Sequence, residues 1–173
     1  MLRTLKPEFR IAASAALLQR GCVHVIGLDE IKAEIGPIWE KRKGSAWAHL
    51  ENLLQQKLGP TDFFFRIDDT SFLVSMPSAT EEEAQTFCVS IAHDLHTNLL
   101  GPCEIGKLKV SRATSTQDDT IKIDPLTVQQ LTSLARLAGL QGEVGASAVF
   151  PVGKPPSGQP PPNVDFLHRF VPL

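Results

Sequence analysis

The chain has 173 residues, 42% of them hydrophobic and 21% charged, which is enough to bury one sizeable core in one principal domain. Its formal net charge of -2 gives no overall positive field, so nucleic acid and anionic membrane surfaces are poor candidates as partners. Three cysteines without a CxxC pair argue against a disulfide framework or a zinc ribbon, and the apolar run over 11–18 is too short for membrane insertion. We therefore expect a cytoplasmic protein.

The first 20 residues, 1–20, are predicted to form a leading helix ahead of the main domain, because apolar side chains over 7–19 recur on one helical face. The run CVHVIGL over 22–28 is apolar and rich in β-branched residues, which is typical of a strand in a sheet interior. Asp29 follows this strand, and we expect it to cap a helix rather than to bind a metal ion.

The middle of the chain is predicted to contain a helix and then a β-hairpin. Ser45 has the residue type of an N-cap for a helix over 46–58, which a Gly-Pro pair would end. Two apolar runs, 63–67 and 72–76, are separated by only four polar residues. This pattern predicts two strands joined by a tight turn at 68–71.

The remaining elements are predicted as a helix over 80–98, a strand through 108 and 110, a helix over 125–137 and a last strand over 146–150. Cys88 lies in the apolar stripe of the first helix, where it is expected to be a core residue. His93 and His96 fall off that stripe and lack a third ligand, so we predict a solvated pair rather than a metal site.

The main domain is predicted to span 21–150. Six of the 13 prolines lie in 151–162, which predicts an extended, polyproline-like linker within a tail over 151–173. After this stretch, Phe166 and Phe170 belong to a short apolar segment that either docks back or begins a further domain.

The hairpin carries a resemblance to a known family. Residues 66–77 read RIDDTSFLVSMP, which resembles the Arg-x-Gly-Gly-Asp-Glu-Phe signature, short strand and proline of the GGDEF (diguanylate cyclase) domain. Residues 25–32 read VIGLDEIK and resemble the strand-end Asp-x-Asp-x-Phe-Lys motif of that family. The interval from Gly27 to Asp68 matches the family spacing without a gap, and residues 135–139, ARLAG, are similar to its late-helix Ala-Lys-x-x-Gly.

The resemblance implies an α+β fold of the GGDEF or nucleotide-cyclase type, with a central, mainly antiparallel sheet flanked by helices over 21–150. It also implies a place in a bacterial signalling protein concerned with cyclic di-GMP. Since function depends on the site rather than on the fold, the positions that carry the chemistry decide whether activity is expected.

In active members of the family, Mg²⁺ is held by the first Asp of the strand-end motif and by the acidic third residue of the signature. Those positions are Gly27 and Thr70 here, and neither offers a carboxylate. Asp68, Asp69, Thr70 and Ser71 replace the whole signature, and the two aspartates would repel an anionic ligand. We therefore predict no metal site, no cofactor and no catalytic residue.

The nucleotide-binding positions are also replaced. Ile35 and Gly44 stand where the family reads guanine with an Asn and an acidic residue, and the inhibitory Arg-x-x-Asp motif retains only Asp62. Lys32 and Arg136 match the cations on the phosphate side of the family site. They are candidate phosphate ligands, although both can also be solvated helix charges.

Three hypotheses remain open. The first is an inactive domain that acts in regulation or assembly through contacts with a protein partner or an adjoining domain. The alternative is a nucleotide-binding sensor without turnover, in which Lys32 and Arg136 hold a weakly bound nucleotide. The third is an enzyme of different specificity, in which Asp29, Asp68 and Asp69 form a new metal site.

Overall fold

The computed structural model describes residues 2–4, 13–115 and 120–140. The last strand predicted over 146–150 and the proline-rich tail over 151–173 therefore lie outside the described residues. Residues 5–12 of the predicted leading segment lie outside them too. Within 1–20 the structure describes a strand at Leu2–Thr4, where the leading helix was predicted, and a short helix, α1 (Ala15–Gln19).

The described part of the chain contains six strands in one sheet, together with the helices that connect them. The strands are β1 (Leu2–Thr4), β2 (Val23–Gly27), β3 (Phe63–Asp68), β4 (Ser71–Ser75), β5 (Lys109–Ser115) and β6 (Thr120–Pro125). The other helices are α2 (Asp29–Ile35), α3 (Trp39–Lys57), α4 (Glu81–Leu100) and α5 (Val128–Leu137), and short 3-10 turns occupy Gly36–Ile38 and Ile105–Lys107.

The spatial order of the strands is β1-β6-β5-β2-β4-β3, and each neighbouring pair is antiparallel. Helices α2 and α3 connect β2 to β3, and α4 connects β4 to β5, so each crossover skips one strand. Two such split β-α-β units form the arrangement of ferredoxin-like folds. The prediction of an α+β fold with a central antiparallel sheet flanked by helices is confirmed.

Both faces of the sheet carry apolar clusters, which explains why the first four residues of β2 are all buried. Successive residues of a strand point to opposite faces. One face packs against α3, α4 and α5 and forms the main core, which includes Ile26, Phe72, Val74, Val110, Leu50, Leu54, Ile91, Leu95 and Leu131. The opposite face carries a smaller cluster, which includes Val23, Val25, Leu73, Ala113, Ile121 and Leu18 of α1.

Capping boxes define the starts of two helices. At α4, Thr80 Oγ1 accepts a hydrogen bond of 3.2 Å from the Glu83 amide, and the Glu83 carboxylate accepts one of 2.8 Å from the Thr80 amide. Thr127 and Gln130 make the same reciprocal pair at α5. These bonds satisfy amides that have no partner inside the helix. The helix predicted over 80–98 is confirmed, and Cys88 is buried in it as expected.

The start of α3 differs from the prediction. The helix begins at Trp39 and Ser45 lies inside it, so the predicted cap at Ser45 is wrong. Gly36 has a φ of 65°, and Pro37 follows it in a 3-10 turn. The change of chain direction occurs there, before α3, which leaves the helix free of proline and able to run without a break.

The pair β1 and β6 is missing from the predicted set of elements. Pro125, predicted to begin a helix, instead ends β6, and α5 starts at Val128. Only Ile121 and Ile123 mark the inward face of β6, and two apolar positions in six residues give too weak an alternation to predict a strand.

Two glycines in open surroundings should respond in opposite directions to substitution by alanine. Gly44 lies in the interior of α3 and Gly36 precedes it, and an added Cβ would meet nothing within 4 Å at either position. We expect Gly44→Ala to raise the free energy of unfolding by about 1 kcal/mol, because glycine is a poor helix former. Gly36→Ala should lower it by about 1–3 kcal/mol, because its positive φ disfavours an L side chain.

Urea denaturation of both variants measures the two changes. Equal midpoints for Gly44→Ala and the unmodified chain would contradict an unbroken α3 through residue 44.

Candidate functional site

The turn at 68–71 joins β3 to β4, as predicted. The Asp68 carboxylate accepts a hydrogen bond of 2.9 Å from the Thr70 amide, which is a local turn contact typical of aspartate. The Thr70 carbonyl accepts a hydrogen bond of 2.7 Å from the Leu28 amide. The turn is therefore fixed to the residue that follows β2, so the two segments that resemble the family motifs lie side by side.

Helix α3 holds this turn from the other side. Trp47 Nε1 donates a hydrogen bond of 2.9 Å to the Asp69 carbonyl, and Lys43 Nζ lies 3.3 Å from the Asp69 carboxylate. The Arg66 guanidinium stacks over the Trp47 ring, 3.9 Å from its centre. We call Lys43, Trp47, Arg66 and Asp69 the turn clamp.

The ion pair is the weaker part of the turn clamp. Lys43 also lies 2.6 Å from the Glu40 carboxylate. Its hydrogen bond with Glu40 and its contact with Asp69 raise the pKa of Lys43, so this ammonium stays charged. Ion pairs exposed to water contribute little to stability. The Trp47 hydrogen bond and the stacked guanidinium are therefore the contacts expected to fix the turn.

Replacing Trp47 by phenylalanine should loosen the turn clamp. Trp47→Phe removes the hydrogen bond to the Asp69 carbonyl but keeps an aromatic face for Arg66, and we expect a loss of about 1 kcal/mol in the free energy of unfolding. Lys43→Met should cost less, since its ion pairs are solvent-exposed. Amide hydrogen exchange of the 68–71 turn should be faster in Trp47→Phe than in Lys43→Met, and the reverse order would contradict this ranking.

Gly27, the position that the resemblance assigns to the first metal-binding aspartate, has no room for a side chain. A Cβ at Gly27 would lie 2.9 Å from the Lys109 Cβ and 3.2 Å from the Asp29 Oδ2. The neighbouring strand β5 occupies the space. Asp29 was predicted to cap α2, but the cap residue is Leu28, and Asp29 is the first residue of the helix. In the first turn its carboxylate interacts favourably with the helix dipole, but it does not cap the helix.

The two positions that the resemblance assigns to guanine recognition do not line the same cavity. Ile35 lines a cavity of about 220 Å³ between α2, α3 and the end of α4. Gly44 is exposed, with nothing within 4 Å of an added Cβ, and it is not among the residues that line this cavity. Neither residue supplies a hydrogen-bonding side chain.

The two candidate phosphate ligands lie toward opposite ends of the sheet. Lys32 lies in α2, which follows the Gly27 end of β2. Arg136 lies in the last turn of α5 and lines a cavity of about 750 Å³ with Glu81, at the N-terminus of α4. Helix α4 follows β4, and β4 is antiparallel to β2, so the start of α4 lies at the end of the sheet remote from Gly27.

The missed strand β6 is the reason for this separation. Strand β5 runs away from the Gly27 end of the sheet, and β6 brings the chain back. Helix α5 then starts near the Gly27 end of the sheet. There the Val128 side chain lies 3.6 Å from the position that an added Cβ would take at Gly106. A helix that followed β5 directly would run in the other direction and would carry Arg136 toward Lys32.

The prediction of a solvated histidine pair is wrong. His96 is 4% exposed, and burial lowers the pKa of its ring; His93 is partly buried. Among the described residues, neither ring nitrogen of His96 has a hydrogen-bond partner. The buried Val89 lies seven residues earlier on the same helix face. A spacing of seven residues puts Val89 and His96 on the same side of α4. The buried face of the helix is therefore wider than the apolar stripe alone, and this spacing would have predicted the burial of His96.

Lys43 and Trp47 were not identified from the sequence, although their i, i+4 spacing puts them on one face of a helix.

The three cysteines are free and buried, and burial raises the pKa of Cys88 to about 12 and that of Cys103 to about 11. Both thiols therefore stay protonated at neutral pH.

Over 13–115 and 120–140, no three His, Cys, Asp or Glu side chains are close enough together to hold a metal ion. Asp69 instead contacts Lys43, and Asp68 contacts the Thr70 amide.

None of the helices in the part of the chain that the structure describes has the length and apolar character needed to cross a membrane. Comparisons of the chain with protein-family models, with curated proteins and with solved structures find no match.

Proposed function

We propose that this chain is a catalytically inactive relative of the GGDEF domain that acts in regulation or assembly through protein contacts. The observation that carries the proposal is the turn clamp. The segment that resembles the signature is bonded to α3 through the Trp47 and Asp69 contact of 2.9 Å. A nucleotide approaching this turn from the α3 side would have to displace Trp47 and Arg66, which are stacked at 3.9 Å.

The metal requirement of the family supports the same proposal. Mg²⁺ binds hard oxygen ligands, usually carboxylates together with substrate phosphates. Gly27 has no side chain and no space for one, and Thr70 has only a neutral hydroxyl. The residues at these positions do not fit the ion.

The alternative of a nucleotide sensor has less support. The sensor hypothesis is based on two cations, Lys32 and Arg136, which the resemblance assigns to the phosphate side of the nucleotide site. In this fold, Lys32 follows the Gly27 end of the sheet, while Arg136 lines a cavity with Glu81 and Glu82. Both carboxylates line the same cavity as Arg136, although Glu81 also pairs with Arg112 at 3.1 Å, and their negative charge disfavours a phosphate there.

Isothermal titration calorimetry with GTP, GDP and cyclic di-GMP, each with Mg²⁺, separates the two hypotheses. We expect no saturable heat for any of the three. Saturable binding that Lys32→Ala and Arg136→Ala each weaken would instead support the sensor and overturn the proposal. Binding that neither variant changes, but that Trp47→Ala strengthens, would show that the turn clamp competes with a nucleotide.

A further inference from the structure

We propose that the groove between α2, α3 and the end of α4 binds a protein partner through one apolar anchor side chain with a carboxylate beside it. This inference rests on the proposed function, since it names the surface through which an inactive domain would act. We call this surface the anchor groove, and its lining residues are Ile35, Ile38, Arg42, Ser45, Ala46 and Leu99.

The floor of the anchor groove is apolar and reachable from solvent. Four of its six lining residues are hydrophobic. Ile38 is 50% exposed, among the most exposed large hydrophobic residues of the described chain. It lies in the 3-10 turn before α3, where neither α2 nor α3 covers it. Covering this half-exposed isoleucine with a partner side chain is favourable, because it removes apolar surface from water.

Arg42 gives the anchor groove its charge. In the part of the chain that the structure describes, no hydrogen bond or ion pair engages the Arg42 side chain. The positions three and four residues away on the helix offer no acid, since they are Ile38, Trp39, Ser45 and Ala46. Lys43, the next residue, is held by both Glu40 and Asp69. The guanidinium beside the cavity is therefore available to an external carboxylate.

The size of the anchor groove favours a side chain over a small molecule. Its cavity of about 220 Å³ is below the range of roughly 300–1,000 Å³ that encloses drug-sized ligands. A pocket of this size suits one large apolar side chain, the kind of buried anchor that dominates protein interfaces. A guanidinium pairs with a carboxylate through two parallel hydrogen bonds, so an acidic residue next to the anchor is the complementary feature.

The partner chemistry that follows is an amphipathic helix with an aliphatic or aromatic residue and an Asp or Glu within one turn of it. Residues three or four apart on a helix lie on the same face, so one helix can present both groups to Ile38 and Arg42. A neutral or basic apolar helix would leave Arg42 unpaired at the rim of the interface, and its affinity should be lower.

A displayed library of randomised helical peptides tests the inference with the intact chain. Peptides selected on the unmodified protein should be enriched in an acid within one turn of a large apolar residue. Fluorescence anisotropy of the synthesised peptides should show binding that Arg42→Gln weakens about tenfold or more, since a charge-assisted contact is lost. Ile38→Ser should also weaken binding, because it removes apolar contact with the anchor side chain. Lys41→Gln is the matched control, because Lys41 is adjacent and exposed but does not line the cavity.

Charge reversal sharpens the test, because Arg42→Glu should prefer peptides in which the acid is replaced by lysine. Selected peptides without an acid near the apolar residue, or binding that Arg42→Gln leaves unchanged, would overturn the inference. Self-association of the purified chain that Arg42→Gln abolishes would also overturn it and would make a second copy the occupant. Nucleotide binding or turnover is measured separately, so failure at the anchor groove and failure of the proposed function remain distinguishable.

Discussion

Acidification should destabilise this domain by about 3 kcal/mol through His24 alone. His24 lies in the central strand β2 and is fully buried, and among the described residues neither of its ring nitrogens has a hydrogen-bond partner. Burial, assisted by the nearby Arg112, lowers its pKa from 6.5 to about 4. Each pKa unit corresponds to about 1.4 kcal/mol, and the folded state holds the neutral ring.

The sign follows from the lowered pKa. The unfolded chain protonates His24 near pH 6.5, whereas the folded chain resists protonation down to about pH 4. The stability associated with neutral His24 is complete above pH 6.5, and it is lost as the pH falls from there to below 4. Urea denaturation of the unmodified chain and of His24→Leu over this window measures the difference. Parallel pH profiles for the two proteins would contradict the assignment.

Introducing an aspartate at Gly27 should destabilise the domain by about 3 kcal/mol. The Cβ would lie 2.9 Å from the Lys109 Cβ, so strands β2 and β5 would have to separate, and overpacking of this kind costs about 1–3 kcal/mol. The new carboxylate would also lie near the Asp29 carboxylate and be repelled by it.

Gly27→Ala separates the two causes, because it adds the Cβ without the charge. We expect Gly27→Ala to account for most of the loss, and the remainder in Gly27→Asp to shrink with added salt. Thermal melting of both variants in low and high salt makes the comparison. A Gly27→Ala variant as stable as the unmodified chain would contradict the close approach of β5.

Much of the fold could be predicted from the sequence, because strong local signals coincide with the elements. The apolar run at β2, the hairpin around 68–71 and the cap at Thr80 each specify their element through burial, turn chemistry or capping. The elements that were missed have weak local signals. Strand β6 has two inward apolar residues, and the start of α3 depends on Gly36, whose positive φ is a property of the folded backbone.

The site was less predictable than the fold, because it depends on contacts between elements distant in sequence. The absence of carboxylates at Gly27 and Thr70 could be read directly from residue identity. The contact of Trp47 with Asp69 joins residues 22 positions apart and could not. The separation of Lys32 from Arg136 depends on the direction of α5, which the missed strand β6 reverses.

The proposals rest on a turn held by helix α3 and on an exposed groove beside the start of the same helix. Trp47 bonds to the turn and stacks on Arg66, whereas Ile38 and Arg42 offer a surface with apolar and cationic character. The two features lie on different faces of the start of α3, so variants of one should leave the other intact. Trp47→Phe should not change peptide binding, and Arg42→Gln should not change hydrogen exchange at the turn.

Quantifying cyclic di-GMP after incubation of the purified chain with GTP and Mg²⁺ or Mn²⁺ tests whether this domain is catalytically inactive. The resemblance implies that two domains must face each other, so the assay should extend to high protein concentration. We predict no product from the unmodified chain, and none from Gly27→Asp or Thr70→Asp, because one added carboxylate leaves Ile35 and Gly44 at the positions that the resemblance assigns to guanine recognition. Product from the unmodified chain that Asp29→Ala or Asp69→Ala abolishes would contradict the account.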